Sequence, residues 1–436
     1  MKRSNKNLLT LAYNINLKLS KIKTVKGTRD ILDEEFYFFD EILKVFEGHC
    51  SNLNYRKIST PILEFSDLFS RTLGEISDIV SKEMFSFIDQ SDEDLTLRPE
   101  GTAPLARALL SNSMYEDQNQ KFFYSGPMFR REKPQAGRLR QFNQVGVEYF
   151  NQRSNFCDLE VIILANLIIK SLDIDEQVDL HINTIGNWES RKRYTESLKD
   201  YLTKYEKELS DESRVRLYKN PLRILDSKSS NDKKILVDSP VLIDFLDLDS
   251  RTFYEDLKEK MEKLNIQFTE NRQLVRGLDY YNHSVFEFIT KDKKSQNTIL
   301  AGGRYDDLVR LIGGKQVCGV GWAAGVERII NLIKDKPTMN SKIIICLFSI
   351  SSELDIQMFK LINVLSDIKT ISIHVLYEGN FKKKLNRSNK LNASASIILG
   401  EDEFKKNKII FKDLITGKQV LVELENLKIF LEERFK

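Results

Sequence analysis

Two extended runs, Phe122 to Glu132 and Leu139 to Phe150, flank the short polar loop KPQAGR, and no other stretch limits the fold as tightly. Runs of that length joined by a loop with glycine and proline pair as a long antiparallel hairpin. Met84 to Asp89 and Leu95 to Arg98, on either side of QSDED, read as a second hairpin. Further strands are expected at 178 to 182, 285 to 290 and 299 to 302, and Gly319 to Trp322 leads into an amphipathic helix through Ile333. Strands joined by hairpins predict an α+β fold, an antiparallel sheet with helices packed on it.

The segments around this sheet differ in pattern. Phe39, Ile42, Leu43 and Phe46 repeat at helical spacing behind Asp33, Glu34 and Glu35, which predicts a helix over about 34 to 48, followed by an extended run from Tyr55 to Thr60 closed by Pro61. From about 187 to 265 charged helical stretches such as ESRKRYTESLKDYLTKYEKEL replace the strand signals, as in a helical insertion. After KDKPTMN, short apolar strands (IIICLFSI, TISIHVLY, SIILG) alternate with helical segments, which implies a separate α/β domain from 341 to 436. The body of the chain is then 24 to 334, behind a basic arm at 1 to 23 that contains no acid. That arm has the composition of a transit segment, of a flexible arm, or of translation from an upstream start.

Composition excludes several classes. No apolar run approaches the roughly 20 residues of a membrane span. The 67 basic and 64 acidic side chains leave a net charge of +3, so a polyanion site has to be local. Cys50, Cys157, Cys318 and Cys346 lie far apart without metal-ligand spacing, which argues against structural zinc, gives no protein metal site, and fits free thiols in a reducing compartment, the cytoplasm.

Side chains in a strand alternate faces, so Gln144, Gly146 and Glu148 share one face of the hairpin, as do Arg130 and Glu132 on its other arm. An exposed face with cross-strand ion pairs and a covered face around a polar ligand both fit this pattern. In the covered case Arg130 offers a fork of donors for a phosphate, and Glu132 and Glu148 accept from amino or imidazole N–H groups. TLRPEGT sets Glu100 between a strand and a helix starting near Thr102, either to receive an ammonium group or to complement the helix dipole. GVGWAAGVER places small residues and Arg328 at a strand-to-helix junction, and LVRGLDYYNHSVFEF sets Arg276, Asp279, Tyr280 and Tyr281 beside a strand.

In this order the pieces resemble a class II aminoacyl-tRNA synthetase of the histidyl-tRNA synthetase family. KGTRD at 26 to 30 is similar to the family's opening motif, and the first helix with the strand closed by Pro61 to motif 1, the dimerisation element. FRREKPQAGRLRQFNQVGVEYF is similar to motif 2, GVGWAAGVER to motif 3, and LVRGLDYYNHSVFEF and AGGRYDDLV to the two histidine-specific blocks. Trp322 stands where phenylalanine is usual, and Ser284 where threonine is usual.

The resemblance implies ATP and Mg2+, L-histidine, tRNA(His) and a homodimer. It implies that Arg130 contacts the α-phosphate, Glu132 the adenine amino group, Phe142 the adenine face and Arg328 the γ-phosphate, with Arg276 opposite Arg130. Glu100, Gly101, Thr102 and Gln144 would hold the α-amino acid end, and Glu148 and Tyr281 would read the imidazole, with Tyr280 shaping the pocket. Lys133, Gln135 and Arg138 would approach the tRNA acceptor end. Lys382, Lys383, Lys384 and Arg387 of a C-terminal anticodon-binding domain would meet tRNA phosphates, or form only a solvated basic face. By family position the insertion would clamp the acceptor stem, so removing 187 to 265 would spare adenylate formation. The competing class is a non-catalytic relative, a regulatory subunit of ATP phosphoribosyltransferase or a tRNA sensor; such proteins typically lose the arginines and tyrosines present here.

Overall fold

The computed structural model describes residues 22–74, 77–116, 119–132, 138–150, 153–292, 298–335 and 342–435. Residues 1–21 of the basic arm, Lys133, Gln135 and most of KDKPTMN lie outside the described residues. The chain divides into two compact units, Met1–Asp335 and Lys336–Lys436.

In chain order the strands of the first unit are β1 (Arg56–Lys57), β2 (Leu63–Phe65), β3 (Phe85–Ile88), β4 (Asp94–Leu97), β5 (Gln120–Phe129), β6 (Gln141–Phe150), β7 (Val178–Thr184), β8 (Thr269–Glu270), β9 (Asn282–Thr290), β10 (Thr298–Arg304) and β11 (Gly319–Gly325). Eight form one sheet in the order β1-β5-β6-β11-β10-β9-β7-β8. Its ladders are antiparallel except at the two edges, where two-residue strands pair in parallel. The extended run before Pro61 is thus shorter than its sequence suggests, because only Arg56 and Lys57 reach the β5 ladder. The hairpin arms are also trimmed: β5 ends at Phe129, so Arg130 and Glu132 lie beyond the last ladder pair, Phe129 with Gln141.

The pleat sorts the sheet into two faces. Phe123, Val145, Val147, Tyr149, Val320, Trp322, Ala324, Phe286, Phe288 and Leu300 point one way into a closed core. The helix Asp33–Asn52 enters it through Phe38, Ile42, Phe46 and Cys50, an i, i+4 stripe, with Phe39 and Leu43 partly buried at its side. Trp322, 1% exposed, meets Phe46 edge-on at 5.9 Å, and its indole N–H donates to the Val161 carbonyl at 2.8 Å, so the departure from phenylalanine adds a satisfied hydrogen bond to this core.

On the opposite face the same strands present Glu148, Gly146 and Gln144 of β6, Gly321, Ala323 and Gly325 of β11, and Gly303 and Ala301 of β10 in register. Beside it, β2, β4 and β3 form a separate three-stranded sheet that carries the chain into the helix Thr102–Ser111. The stretch from 187 to 265 is helical, with Trp188–Thr203, Asp211–Lys219 and Ser230–Leu236 among its helices. Its last helix, Leu248–Lys263, contributes Tyr254, Leu257 and Met261 to the main core, so it is not separable from the sheet.

In the second unit, β12 (Ile343–Ser349), β13 (Ile371–Val375), β14 (Ala395–Leu399), β15 (Lys408–Asp413) and β16 (Gln419–Glu423) order as β13-β12-β14-β15-β16. β12 pairs in parallel with β13 and β14, and the remaining pairs are antiparallel, a mixed sheet. In the helix Phe381–Lys390, Lys384 and Ser388 face inward, and the Lys384 ammonium donates to the Ser349 carbonyl at 3.0 Å. Lys384 is therefore withdrawn from the tRNA-facing set expected of the basic run, because four-residue spacing turns it to the core; Lys382, Lys383 and Arg387 stay exposed.

Candidate active site

The face floored by glycine and alanine leaves room above it, and polar side chains surround that room. Glu148 stands at one end, fully buried. The Thr102 hydroxyl donates to its Oε1 at 2.6 Å and the Tyr305 hydroxyl to its Oε2. A Cβ at Gly321, directly across the ladder, would overlap Glu148 Oε2, and one at Gly146 would overlap the Tyr124 ring, so both positions need glycine for space. Burial pushes the Glu148 carboxyl from 4.5 up to about 8; the two hydroxyl bonds oppose that rise and Glu100 adds to it.

Three tyrosines close this end. Tyr280 and Tyr281 lie 4.6 Å apart by ring centroid, and Tyr305 meets them edge-on at 5.7 and 6.2 Å. Burial first holds all three hydroxyls above their usual range and the Glu148 charge adds to it, while Arg276 opposes the rise at Tyr281. Tyr305, inside AGGRYDDLV, and Tyr124 were not singled out from the sequence. Strand alternation places Tyr124 on the Gly146 face once the β5–β6 register is known, but the contact of Tyr305 with Glu148 crosses from β10 to β6, and no local pattern carries it.

Glu100 is buried, and both its oxygens accept backbone N–H groups, from Thr102 at 2.8 Å and Ala103 at 2.7 Å. It thus caps the helix Thr102–Ser111 where Gly101 starts it, and its carboxyl, raised by burial, keeps further lone pairs. Gln144, four residues from Glu148 on the same face, has a buried Oε1 without a partner, and so does the Tyr124 hydroxyl. A site with orphaned acceptors and donors of this kind is completed by a polar ligand.

The site also carries a cationic rim. The Arg276 guanidinium pairs with Glu287 and lies 5.7 Å over the Tyr281 ring. Glu287 also accepts from the Thr298 hydroxyl at 2.9 Å, and the Thr298 carbonyl accepts from Arg328. Arg328 is held below its usual pKa by burial first and then by the charge of Arg130. Arg130 donates to the Pro99 carbonyl at 2.9 Å and sits 5.3 Å over Phe142. Arg138 Nε lies 2.9 Å from the Glu132 carboxylate, a pairing not expected when one was assigned to tRNA and the other to adenine. Arg130, Arg276 and Arg328, with Arg130 and Arg328 repelling each other, form a locus for a polyanion.

Among the described residues, no group of three or more His, Cys, Asp or Glu side chains is placed to hold a metal ion, and no helix is long and apolar enough to cross a membrane. The four cysteines are free.

An antiparallel sheet backed by helices, with a buried polar pocket at one end of its open face and an arginine cluster at the other, is the architecture of the class II aminoacyl-tRNA synthetases. Residues 27–329 match the histidyl-tRNA synthetase family and residues 344–434 the anticodon binding domain. The histidine–tRNA ligase of Rhodospirillum rubrum is 40% identical over 413 residues, covering 95% of this chain and 99% of that one. The chloroplastic histidine–tRNA ligase of Pyropia yezoensis is 41% identical over 415 residues, covering 94% and 96%. The crystal structure of apo S. aureus histidyl-tRNA synthetase superposes with a TM-score of 0.77 at 31% identity, covering 94% of this chain and all of that one. The chain belongs to the histidyl-tRNA synthetase family.

Proposed function

We infer that this chain is a histidine–tRNA ligase: it activates L-histidine with ATP to histidyl-adenylate and pyrophosphate, then transfers histidine to the 3′ end of tRNA(His). The observation that carries the amino acid is the buried Glu148 carboxyl, held near 8 between Thr102 and Tyr305. A carboxyl in that range shares a proton with an imidazole, whose ordinary value is about 6.5. With Tyr281 it pairs both ring nitrogens, and a side chain lacking them leaves these buried groups unpaired, which discriminates by about 10⁴ without an editing domain.

In this reading Glu100, Gly101, Thr102 and Gln144 hold the α-amino acid end, the unpartnered Gln144 Oε1 gaining its bond there. Arg130, Arg276 and Arg328 receive the triphosphate, Phe142 stacks on adenine once Arg130 swings to phosphate, and Glu132 exchanges Arg138 for the adenine amino group. As the histidine carboxylate attacks the α-phosphorus, charge grows on its equatorial oxygens, and guanidiniums on both sides stabilise that state more than the ground state. When bound with ATP, Mg2+ would supply positive charge to offset that of the departing pyrophosphate. Glu83, whose carboxyl is raised by burial and then by neighbouring Glu132, is the side chain whose ionised form a cation there would favour. Arg138, with Lys133 and Gln135, approaches the acceptor end of tRNA.

A homodimer is supported by the three-stranded sheet, which is inverted relative to ordinary practice. Leu63, Phe65 and Phe87 point to solvent, 45%, 55% and 46% exposed, while Glu64 and Thr96 on the other face are buried, Glu64 paired with Arg107. An apolar face of this kind is covered in the working protein, and a second copy is the occupant proposed. Four unpaired cysteines fit a cytoplasmic setting.

The test is histidine-dependent exchange of pyrophosphate into ATP by purified protein. Exchange with histidine alone among the amino acids is expected, and Arg276→Ala should lower kcat by about 10²–10³ with the histidine and ATP constants nearly unmoved. Folded wild-type protein that exchanges nothing with histidine rules this function out.

A further inference from the structure

The segment from Asn271 to Tyr281 has almost no regular secondary structure, yet Leu274, Tyr280 and Tyr281 within it are buried. An irregular buried segment cannot pair its own carbonyls in a ladder, so they need partners from elsewhere. The helical insertion supplies them. Arg191, on the helix Trp188–Thr203, donates through Nη1 to the Asp279 carbonyl at 3.1 Å and to the Tyr281 carbonyl at 2.8 Å. Arg223, in the short turn Pro221–Ile224, donates to the Gly277 carbonyl. Three alternate carbonyls, 277, 279 and 281, are thus held by two guanidiniums from outside the sheet.

The Asp279 side chain completes the junction. Its carboxylate faces Arg223 and Arg191, and Asn220 Nδ2 lies 3.4 Å from its Oδ1. The apolar packing runs through without a break, since Tyr194, Leu198, Ile224 and Leu236 of the insertion share one core with Leu274, Tyr280 and Tyr281.

We infer that Arg191 and Arg223 are positioning residues for the amino-acid pocket: the insertion fixes the loop that carries Arg276, Tyr280 and Tyr281, and so sets histidine affinity in the first half-reaction. This rests on the histidine-activating reading above. It differs from the expectation that removing 187 to 265 would spare adenylate formation.

The experiment is pyrophosphate exchange without tRNA, on the full chain, with histidine and ATP varied separately. Arg191→Ala and Arg223→Ala should each raise KM for histidine about tenfold or more, the scale of a lost charged hydrogen bond, while KM for ATP stays within about twofold. Arg191→Lys, the milder change, gives the same reading if the alanine variant does not fold. Arg193→Ala is the control, because Arg193 donates to the Phe245 carbonyl within the insertion, and it should leave both constants unchanged. Unchanged histidine KM in folded Arg191 and Arg223 variants, with loss confined to tRNA charging, overturns the inference. So does a lowered maximal rate that follows the folded fraction measured by circular dichroism while both KM values stay unchanged. A wild-type chain inactive with histidine is a separate outcome, the failure of the proposed function itself.

Discussion

Two carboxylates are buried against the same sheet and were given opposite company. Asp158 on the helix Asn155–Ser171 is fully buried and bonded to Arg304, itself fully buried, and to the Ser284 hydroxyl; Arg304 also reaches Asp306 at 3.0 Å and the Ser154 carbonyl at 2.8 Å. Glu148 has hydroxyls for partners, and no hydrogen bond or ion pair described for it involves a cation. In the first network the carboxylate meets a guanidinium inside the protein. In the second the charge is left to be settled by protonation or by a ligand. A buried carboxylate matched to a guanidinium is a lock; one matched to hydroxyls is a socket.

The contrast is sharpest if each carboxylate is removed. Asp158→Ala leaves Arg304 short of its main counter-charge and should cost about 3–5 kcal/mol of folding free energy, read from the denaturant midpoint. A loss no larger than that of Glu148→Gln would erase the distinction. Glu148→Gln should leave stability at pH 5, where the carboxyl is protonated in the fold, within about 1 kcal/mol but lower kcat/KM for histidine about 100-fold, the scale of a lost hydrogen bond to a charged partner. Retained turnover would remove Glu148 from imidazole recognition.

The last test is in pH. The Glu148 carboxyl is raised in the fold, so the stability it contributes is present in full below its ordinary 4.5 and is lost as pH rises through about 8. Unliganded protein should therefore show a midpoint that declines between pH 5 and 8.5, and Glu148→Gln should flatten that slope. A slope of the same size in both proteins would place the titration elsewhere.

Legibility in the sequence followed the range of the interaction. Strand alternation and the hairpin loop sufficed to put Gln144, Gly146 and Glu148 on one face, because those are relations between near neighbours. The Tyr305 contact to Glu148 spans three strands of register, and the Arg191 and Arg223 bonds join residues 54 to 90 positions apart, so neither leaves a local mark. The run Lys382, Lys383 and Lys384 conceals which of the three the helix turns inward. Ser284 was noted as a departure from threonine, but its bond to Asp158 shows why a hydroxyl at that position suffices.

The position of Trp322 has an optical consequence. It and Trp188 are the two tryptophans of the chain. Trp322 lies in the dry core, its backbone forming the floor of the pocket between Gly321 and Ala323, whereas Trp188 is 63% exposed on the insertion, with the Arg191 guanidinium 5.2 Å over its ring. One emits from an apolar setting and the other from water within reach of a soluble quencher. The unlabelled protein thus carries two separable fluorophores, one under the substrate floor and one beside the guanidinium that holds the pocket's loop.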